Sequence, residues 1–549
     1  METKFSVAKI FSNNMVLQRD VAIPVWGNAE PGDKITVCLD RQEKTATAGN
    51  DSKWMITLDP IPASCEPRKM TISSSISQSP DHQIPQSLNH QISQSLNHQI
   101  SQSLNHQISQ SLNHQISQSL NHQILNILVG EVWIAGGQSN MQFALSDTED
   151  AKEVISKADH PGIRCYQVPQ IPYVGADLEN PSAYPAKPEW NVCTPENAGK
   201  YPAVAYHFAE RIHKALKVPV GIVSCSWGGT SASSWMSEKY LSSDKDIKVY
   251  LDEYQTLIAG IDMEKYESDR IAYSAAVERF VKIKEKAISE NVAGTALNEL
   301  LGPYPWPPPA GPKNFQTPCG LYHTMVEKIV PYAVKGVIFY QGESDVDKGA
   351  LYEKLFGRMI QNWRDDWKNP NMPFLFTQIT TYGCDGKPDN DDWAILREQQ
   401  LFASRNIPNT AMAVSIDCGD MIDIHPKNKR PLGERLSLLA RAKVYGQDIE
   451  CSGPGFREMK LKGDKALLYF DHVGKGLMAK GGALKGFKVC GADKVFVDAR
   501  AEIKGDTVEV SSSGMKAPKT VRYGWANYSE INLFNKDGLP ASPFRTDGP

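Results

Sequence analysis

The chain has 549 residues, enough for two to four domains of ordinary size, and its 41% hydrophobic and 22% charged residues are those of a soluble globular protein. A formal net charge of -4 supplies no basic field, so neither nucleic acid nor an anionic membrane surface is expected as a partner. No run of about 18 apolar residues occurs, so membrane insertion is not expected either. The opening METKFSVAKIFSNNMVLQRD has no apolar h-region and no small-residue cleavage site. No signal peptide is therefore expected in this sequence: the chain is cytoplasmic as it stands, or periplasmic or secreted if a signal has been removed. The ten cysteines form no CxxC pair, which argues against a zinc site and for buried thiols, with an occasional disulfide if the protein is exported.

Residues 1 to about 75 read as strands. Val16 to Val25 and Lys34 to Leu39 alternate apolar and polar residues and are separated by Gly27-Asn28 and Pro31-Gly32-Asp33 turns, and Trp54 to Leu58 continues the pattern. A small β-sandwich-like module is the expectation. From about 82 to 124 the octad SLNHQISQ then repeats, placing His82, His90, His98, His106, His114 and His122 eight residues apart. Metal binding, a repetitive structured element and an expanded low-complexity insertion compete as readings. The segment is mostly Ser, Gln, Asn and His and buries too little apolar area to offset its ordering entropy, which favours the insertion.

After the repeat the chain changes character. Ile124 to Val129, Val132 to Ala135, Val218 to Val223, Gly336 to Tyr340 and Phe374 to Thr380 are apolar runs of buried-strand type. Helical stretches fall between them at Ala203 to Leu216, parts of Asp252 to Glu290, Leu351 to Trp367 and Arg397 to Ser404, which makes this an α/β region with a mainly parallel sheet. From about 451 short strands return, at Ala466 to Phe470, Phe487 to Cys490, Lys494 to Asp498, Thr507 to Val510 and Thr520 to Gly524. The expected division is a β-rich region over 1–125 carrying the octad insertion, a catalytic α/β domain over 126–450, and a β-rich region over 451–549. The Pro-rich stretch from Gly302 to Pro309 lies inside the α/β part. It is either a stiff surface loop or a rim for a sugar, since Tyr304 and Trp306 offer flat apolar faces.

In open α/β sheets reactive groups sit at the carboxyl ends of the strands. Four such ends carry polar residues. Val132–Ala135 runs into Gly136-Gly137-Gln138-Ser139-Asn140-Met141, which puts Ser139 at the start of a helical turn whose free N–H groups suit an oxyanion. The strand ending at Val223 runs into Ser226-Trp227-Gly228-Gly229, where glycine lets a ligand approach the backbone. The strand ending at Tyr340 is followed by Gln341, a candidate side-chain N–H donor, and by Glu343, which either orients a neighbour or caps the next helix. Thr410 to Ile416 leads to Asp423-Ile424-His425. Outside the repeat only six histidines remain, and His425 is the one with a carboxylate two residues away in such a loop. A catalytic base needs a partner that fixes its tautomer. Asp423 fits, with Asp417 and Asp420 as fallbacks.

The blocks GGQSNM, SWGGTSASSW, YQGESD and DIHPKNKRPLGERLSLLAR resemble those of the SGNH-hydrolase superfamily, in its sialate O-acetylesterase branch. NNMVLQRDVAIPVWGNAEPGDKITV near the start and EINLFNKDGLPASPFRTD near the end resemble the same branch, so only the octads fall outside the likeness. The resemblance implies a flavodoxin-like three-layer α/β/α core flanked by the β-rich regions. It implies Ser139 as nucleophile, His425 as general base, Asp423 as the carboxylate, and an oxyanion hole made by Ser139, Gly228 or Gly229, and Gln341. Two departures stand out. The superfamily more often has two residues between Asp and His, and an Asn where Gln341 stands. The implied activity is hydrolysis of acetyl esters on a sugar or glycan, sialic acid first, with acetylxylan or another glycan as the alternative and no metal or organic cofactor. Sialic acid carries a carboxylate, for which Arg397 is a candidate partner, a helix-surface salt bridge being its other reading. A different class, a carbohydrate-binding protein without catalysis, would retain the fold and show no turnover.

Overall fold

A computed structural model of the chain describes residues 5–75, 121–176, 188–290, 299–386 and 389–548. The readings of the octad segment therefore lie outside the described residues up to residue 120. Its last four residues, Asn121 to Ile124, already belong to a strand.

That strand, Asn121–Gly137, is 17 residues long and organises the molecule. The two apolar runs expected on either side of Gly130 are one element. Its first half pairs antiparallel with Ser64–Ser75 and parallel with Val16–Gln18 of the N-terminal region. Its second half pairs parallel with Val220–Ser226 on one side and Gly336–Tyr340 on the other. The expected division at 125/126 thus falls inside a continuous strand. Among the described residues the N-terminal region shares one hydrophobic cluster with the sheet, Ile35, Val37 and Trp54 packing in the same body as Val132 and Ile134. Val16 to Val25 is not one strand. Asp20 has a positive φ of 60° and turns the chain, so Val16–Gln18 joins the long strand while Ile23–Asn28 pairs with Lys53–Leu58 in a separate sheet.

Across the core, Val220–Ser226, Asn121–Gly137, Gly336–Tyr340, Phe374–Thr377 and Thr410–Ala413 lie side by side and parallel. Numbered among themselves in chain order they read 2-1-3-4-5, the flavodoxin-like order. Two strands that the sequence did not announce extend the sheet at one edge, His160–Gln167 parallel and Trp190–Cys193 antiparallel. Side chains alternate between the two faces, as a pleated strand requires. Trp133, Ala135, Ile338 and Tyr340 pack with helices Ala203–Leu216 and Arg430–Leu439. Val132, Ile134, Val337 and Phe339 pack with helices Tyr352–Asp366 and Asp392–Asn406. Three layers result. Beyond residue 451 two four-stranded sheets form a sandwich with its own cluster, including Leu468, Val489, Val508 and Val521. Among the described residues no helix is long and apolar enough to cross a membrane.

Candidate active site

Strand register brings the site together. Gly137 is opposite Ser226 on one side and Tyr340 on the other, so three strands end level and their loops leave at the same height. This is the point where strand order reverses, the usual crevice of a doubly wound sheet. Gly137 has φ 131°, and a Cβ there would stand 2.1 Å from the Tyr340 carbonyl oxygen. Only glycine lets the chain turn so tightly into Ser139. Ser139 opens a single helical turn, Ser139–Gln142.

His425 arrives from the far edge, on the long loop after Thr410–Ala413. Its Nε2 lies 2.8 Å from Ser139 Oγ. Two Asx turns build that loop: the Asp420 carboxylate accepts from the N–H groups of Ile422 and Asp423, and Asp423 accepts from the N–H of His425 at 2.8 Å. Here the structure corrects an expectation. With one residue intervening, the Asp423 carboxylate closes on the backbone N–H two residues on, and it acts on the imidazole as a charge. Burial first, then the Lys429 cation, hold His425 below its ordinary pKa of 6.5, and Asp423 opposes them. Of the fallbacks, Asp417 is taken by a bidentate Arg435 at 2.6 and 2.7 Å, and Asp420 is taken by its own turn.

Gly228 faces Ser139: a Cβ there would stand 3.1 Å from Ser139 Cβ. Its N–H donates to Gln142 Oε1 at 2.8 Å, a side-chain amide oxygen in the place suited to an acyl oxygen. Gly229, with φ 73°, lies beneath Trp306, whose ring would meet a Cβ there at 2.1 Å. Gln316 pins this contact by donating to the Gly229 carbonyl at 2.5 Å. Trp306 is 52% exposed and Tyr304 48%, and Trp227 stacks on Phe315 with centroids 4.5 Å apart. The Pro-rich loop therefore forms an aromatic wall beside the Ser139 turn.

Gln341 points the other way. Its amide N–H groups face Gln138 Oε1 at 3.2 Å, the Thr230 carbonyl at 3.1 Å and Asp345 Oδ2 at 2.6 Å, and Tyr352 donates to its Oε1 at 2.8 Å. An amide already committed to buried acceptors is no oxyanion donor, so that expectation is also corrected. Gln341 instead fastens the three strand-end loops to one another. Arg397 is neither a substrate cation nor a surface salt bridge. It is fully buried and donates to the carbonyls of Thr380, Ala526 and Asn527, clamping the C-terminal region onto the core, and burial lowers its pKa to about 10.

Behind the Ser–His pair, Glu343 stands where the sequence offered it as an orienter of a neighbour, whereas Asn140 and Lys429 were not singled out. Asn140, next to Ser139, donates to Glu343 Oε1 at 2.6 Å and to the Ile424 carbonyl at 3.1 Å, and accepts from Lys429 Nζ at 2.6 Å. Asn140 could have been found by its place directly after Ser139, but Lys429 lies in the polar run His425-Pro426-Lys427-Asn428-Lys429, which gives no sign of burial.

Residues 306–441 match the family described as carbohydrate esterase, sialic acid-specific acetylesterase. The chain is similar to the sialate O-acetylesterase of Rattus norvegicus, with 25% identity over 582 residues covering 98% of this chain and 94% of that one. It is similar to the sialate O-acetylesterase of Homo sapiens at 24% identity over 495 residues, 84% of this chain and 76% of that one. Among solved structures, a carbohydrate acetylesterase from Xanthomonas citri matches with a TM-score of 0.73 and 30% identity, 99% of each chain being covered.

Proposed function

The chain belongs to the family of carbohydrate acetylesterases and hydrolyses O-acetyl esters of carbohydrates; we propose that it does so through an acyl-enzyme on Ser139, and that its substrate is an O-acetylated sialic acid. The observation that carries the catalytic assignment is the 2.8 Å contact between Ser139 Oγ and His425 Nε2. In this reading His425 takes the hydroxyl proton as Ser139 Oγ attacks the acetyl carbonyl carbon. Negative charge collects on the acetyl oxygen, which is met by the backbone N–H groups of Ser139, Gly228 and Gly229. The acetyl oxygen takes the Gly228 N–H over from Gln142 Oε1. The C–O bond to the sugar breaks, the alcohol leaves with the proton from His425, and water activated by the same imidazole releases acetate. Asp423 stabilises the imidazolium by its charge and fixes the His425 backbone. Trp306 offers a flat apolar face to the sugar ring.

The sialate assignment is supported by the description of the matching family and by the names of the two mammalian relatives. Its test is acetate release from 9-O-acetyl sialosides, acetylated xylo-oligosaccharides and acetylated hexosamines, compared as kcat/KM. A preference of tenfold or more for the sialosides is expected. Equal or better turnover of the acetylated xylo-oligosaccharides would assign the enzyme to another glycan.

A further inference from the structure

Behind the Ser–His pair lies a cluster of ionisable groups that the reaction scheme does not use. Lys429 is 1% exposed, and its Nζ donates to Asn140 Oδ1 at 2.6 Å between the faces of Phe143 at 4.8 Å and Tyr340 at 5.8 Å. Lysine can only donate and a carbonyl can only accept, so the orientation of the Asn140 amide is fixed: oxygen toward Lys429, nitrogen toward Ile424. The same nitrogen reaches Glu343 Oε1 at 2.6 Å, while Glu343 Oε2 is buried with no partner among the described residues. One amide therefore joins a buried cation, a buried carboxyl, the residue after the nucleophile, and the carbonyl just before His425.

We propose that Lys429 and Glu343 are positioning residues for the esterase reaction: acting through Asn140, they hold the His425 loop against the Ser139 turn, and the Lys429 cation sets the charge felt by the imidazole. The inference rests on the assignment of Ser139 and His425 above. Its geometric half follows from the bond to the Ile424 carbonyl. Without that tether the imidazole is held by Asp423 and its own loop alone, and misplacement by about 1 Å costs on the order of 100-fold in rate. Its electrostatic half follows from which charges face which groups. His425 faces Lys429 and Asp423, and Lys429 faces Glu343, Asp423 and the Cys418 thiol. A cation beside His425 disfavours the imidazolium, so the base stays neutral into mild acid. Burial lowers Lys429 to about 8 and raises Glu343 above the usual carboxylate range, as expected for charges taken out of water.

The test is the pH profile of kcat/KM with p-nitrophenyl acetate, for parent, Lys429→Met, Glu343→Gln and Glu343→Ala, each checked for folding by circular dichroism. Lys429→Met removes the cation, so the acidic limb moves to higher pH by roughly 0.5–1 unit, and kcat falls about tenfold. Glu343→Gln keeps an acceptor for Asn140 and stays within about threefold of the parent. Glu343→Ala strands the Asn140 N–H and loses about tenfold or more. An acidic limb of folded Lys429→Met that coincides with the parent's would overturn the inference, as would Glu343→Ala within twofold of the parent. If Lys429→Met does not fold, the two Glu343 variants decide. Ser139→Ala run alongside separates the premise: full turnover there would remove the Ser–His assignment itself.

Discussion

Glu343, half-buried with its carboxyl turned inward, and Asp345, fully buried, stand two residues apart on the same 3-10 segment, Glu343–Leu351, yet the fold uses them in opposite ways. Asp345 is saturated. Its Oδ1 accepts from Ser231 Oγ at 2.6 Å and Tyr250 OH at 3.0 Å, and its Oδ2 accepts from the Ala232 N–H at 2.9 Å and Gln341 Nε2 at 2.6 Å. Glu343 has one oxygen bonded by Asn140 and one without a partner among the described residues. Burial raises both carboxyls, but only Asp345 has a full set of donors to offset the cost. A saturated buried carboxylate fixes geometry, here the joint between the Ser226–Trp235 and Tyr340–Asp345 blocks. An unsaturated one, coupled through an amide to a buried lysine, is sensitive to charge, and it is the one that adjoins the Ser139 turn.

The largest expected effect sets the scale for that contrast. Ser139→Ala lowers kcat by about 10⁴-fold or more, because the proposed acyl-enzyme forms on its Oγ, and unfolding midpoints stay at the parent value. Initial rates with p-nitrophenyl acetate and urea titrations check both halves. Asp345→Ala acts on the fold. It strands buried donors at about 1–3 kcal/mol each, so urea unfolding should show a loss of about 3 kcal/mol or more, and a loss below about 1 kcal/mol would erase the distinction between the two carboxyls. A smaller effect is expected at Asp423→Asn. The amide oxygen still accepts the His425 N–H, so the loss in kcat/KM is about tenfold, far short of the roughly 10⁴-fold cost of removing a carboxylate bonded to the ring. The sign of its pH effect is fixed. His425 already titrates below 6.5, and removing an anion that favours the imidazolium moves the acidic limb lower still. A limb that moves up on Asp423→Asn would show that the carboxylate does not act on the imidazole as an anion.

Much of the fold was legible because it depends on local pattern. The amphipathic stripe of Ala203–Leu216 and the apolar run Gly336–Tyr340 coincide with their elements residue for residue. Helix Asp392–Asn406 was visible only from Arg397 onward, because its first turn, Trp393-Ala394-Ile395-Leu396, is a continuous apolar run that shows no helical period. The strands His160–Gln167 and Trp190–Cys193 were missed because HPGIRCYQ and WNVC are short and weakly patterned, and they are held by an edge of the sheet that no local sequence announces. At the site, the short Asp423-to-His425 spacing was noticed, and the Asx turn is its physical consequence. The orientation of Gln341 could not be read, because an amide's acceptors come from whichever loops stand beside it.

The sequence by itself pointed to Ser139 and His425, which the fold brings into contact, and to the turn that presents Ser139. Glycine at 137 is required by a positive φ and a backbone approach no other residue tolerates, and His425 lies in a loop that its own aspartates fold. Tertiary structure decided everything that depends on strand register: that Gly137, Ser226 and Tyr340 end level, and that Gln341 faces inward. It also decided that Lys429 meets Asn140 across 289 residues of chain. Local sequence sets the shape of a turn, but a hydrogen bond between two turns exists only once the sheet beneath them has fixed their separation.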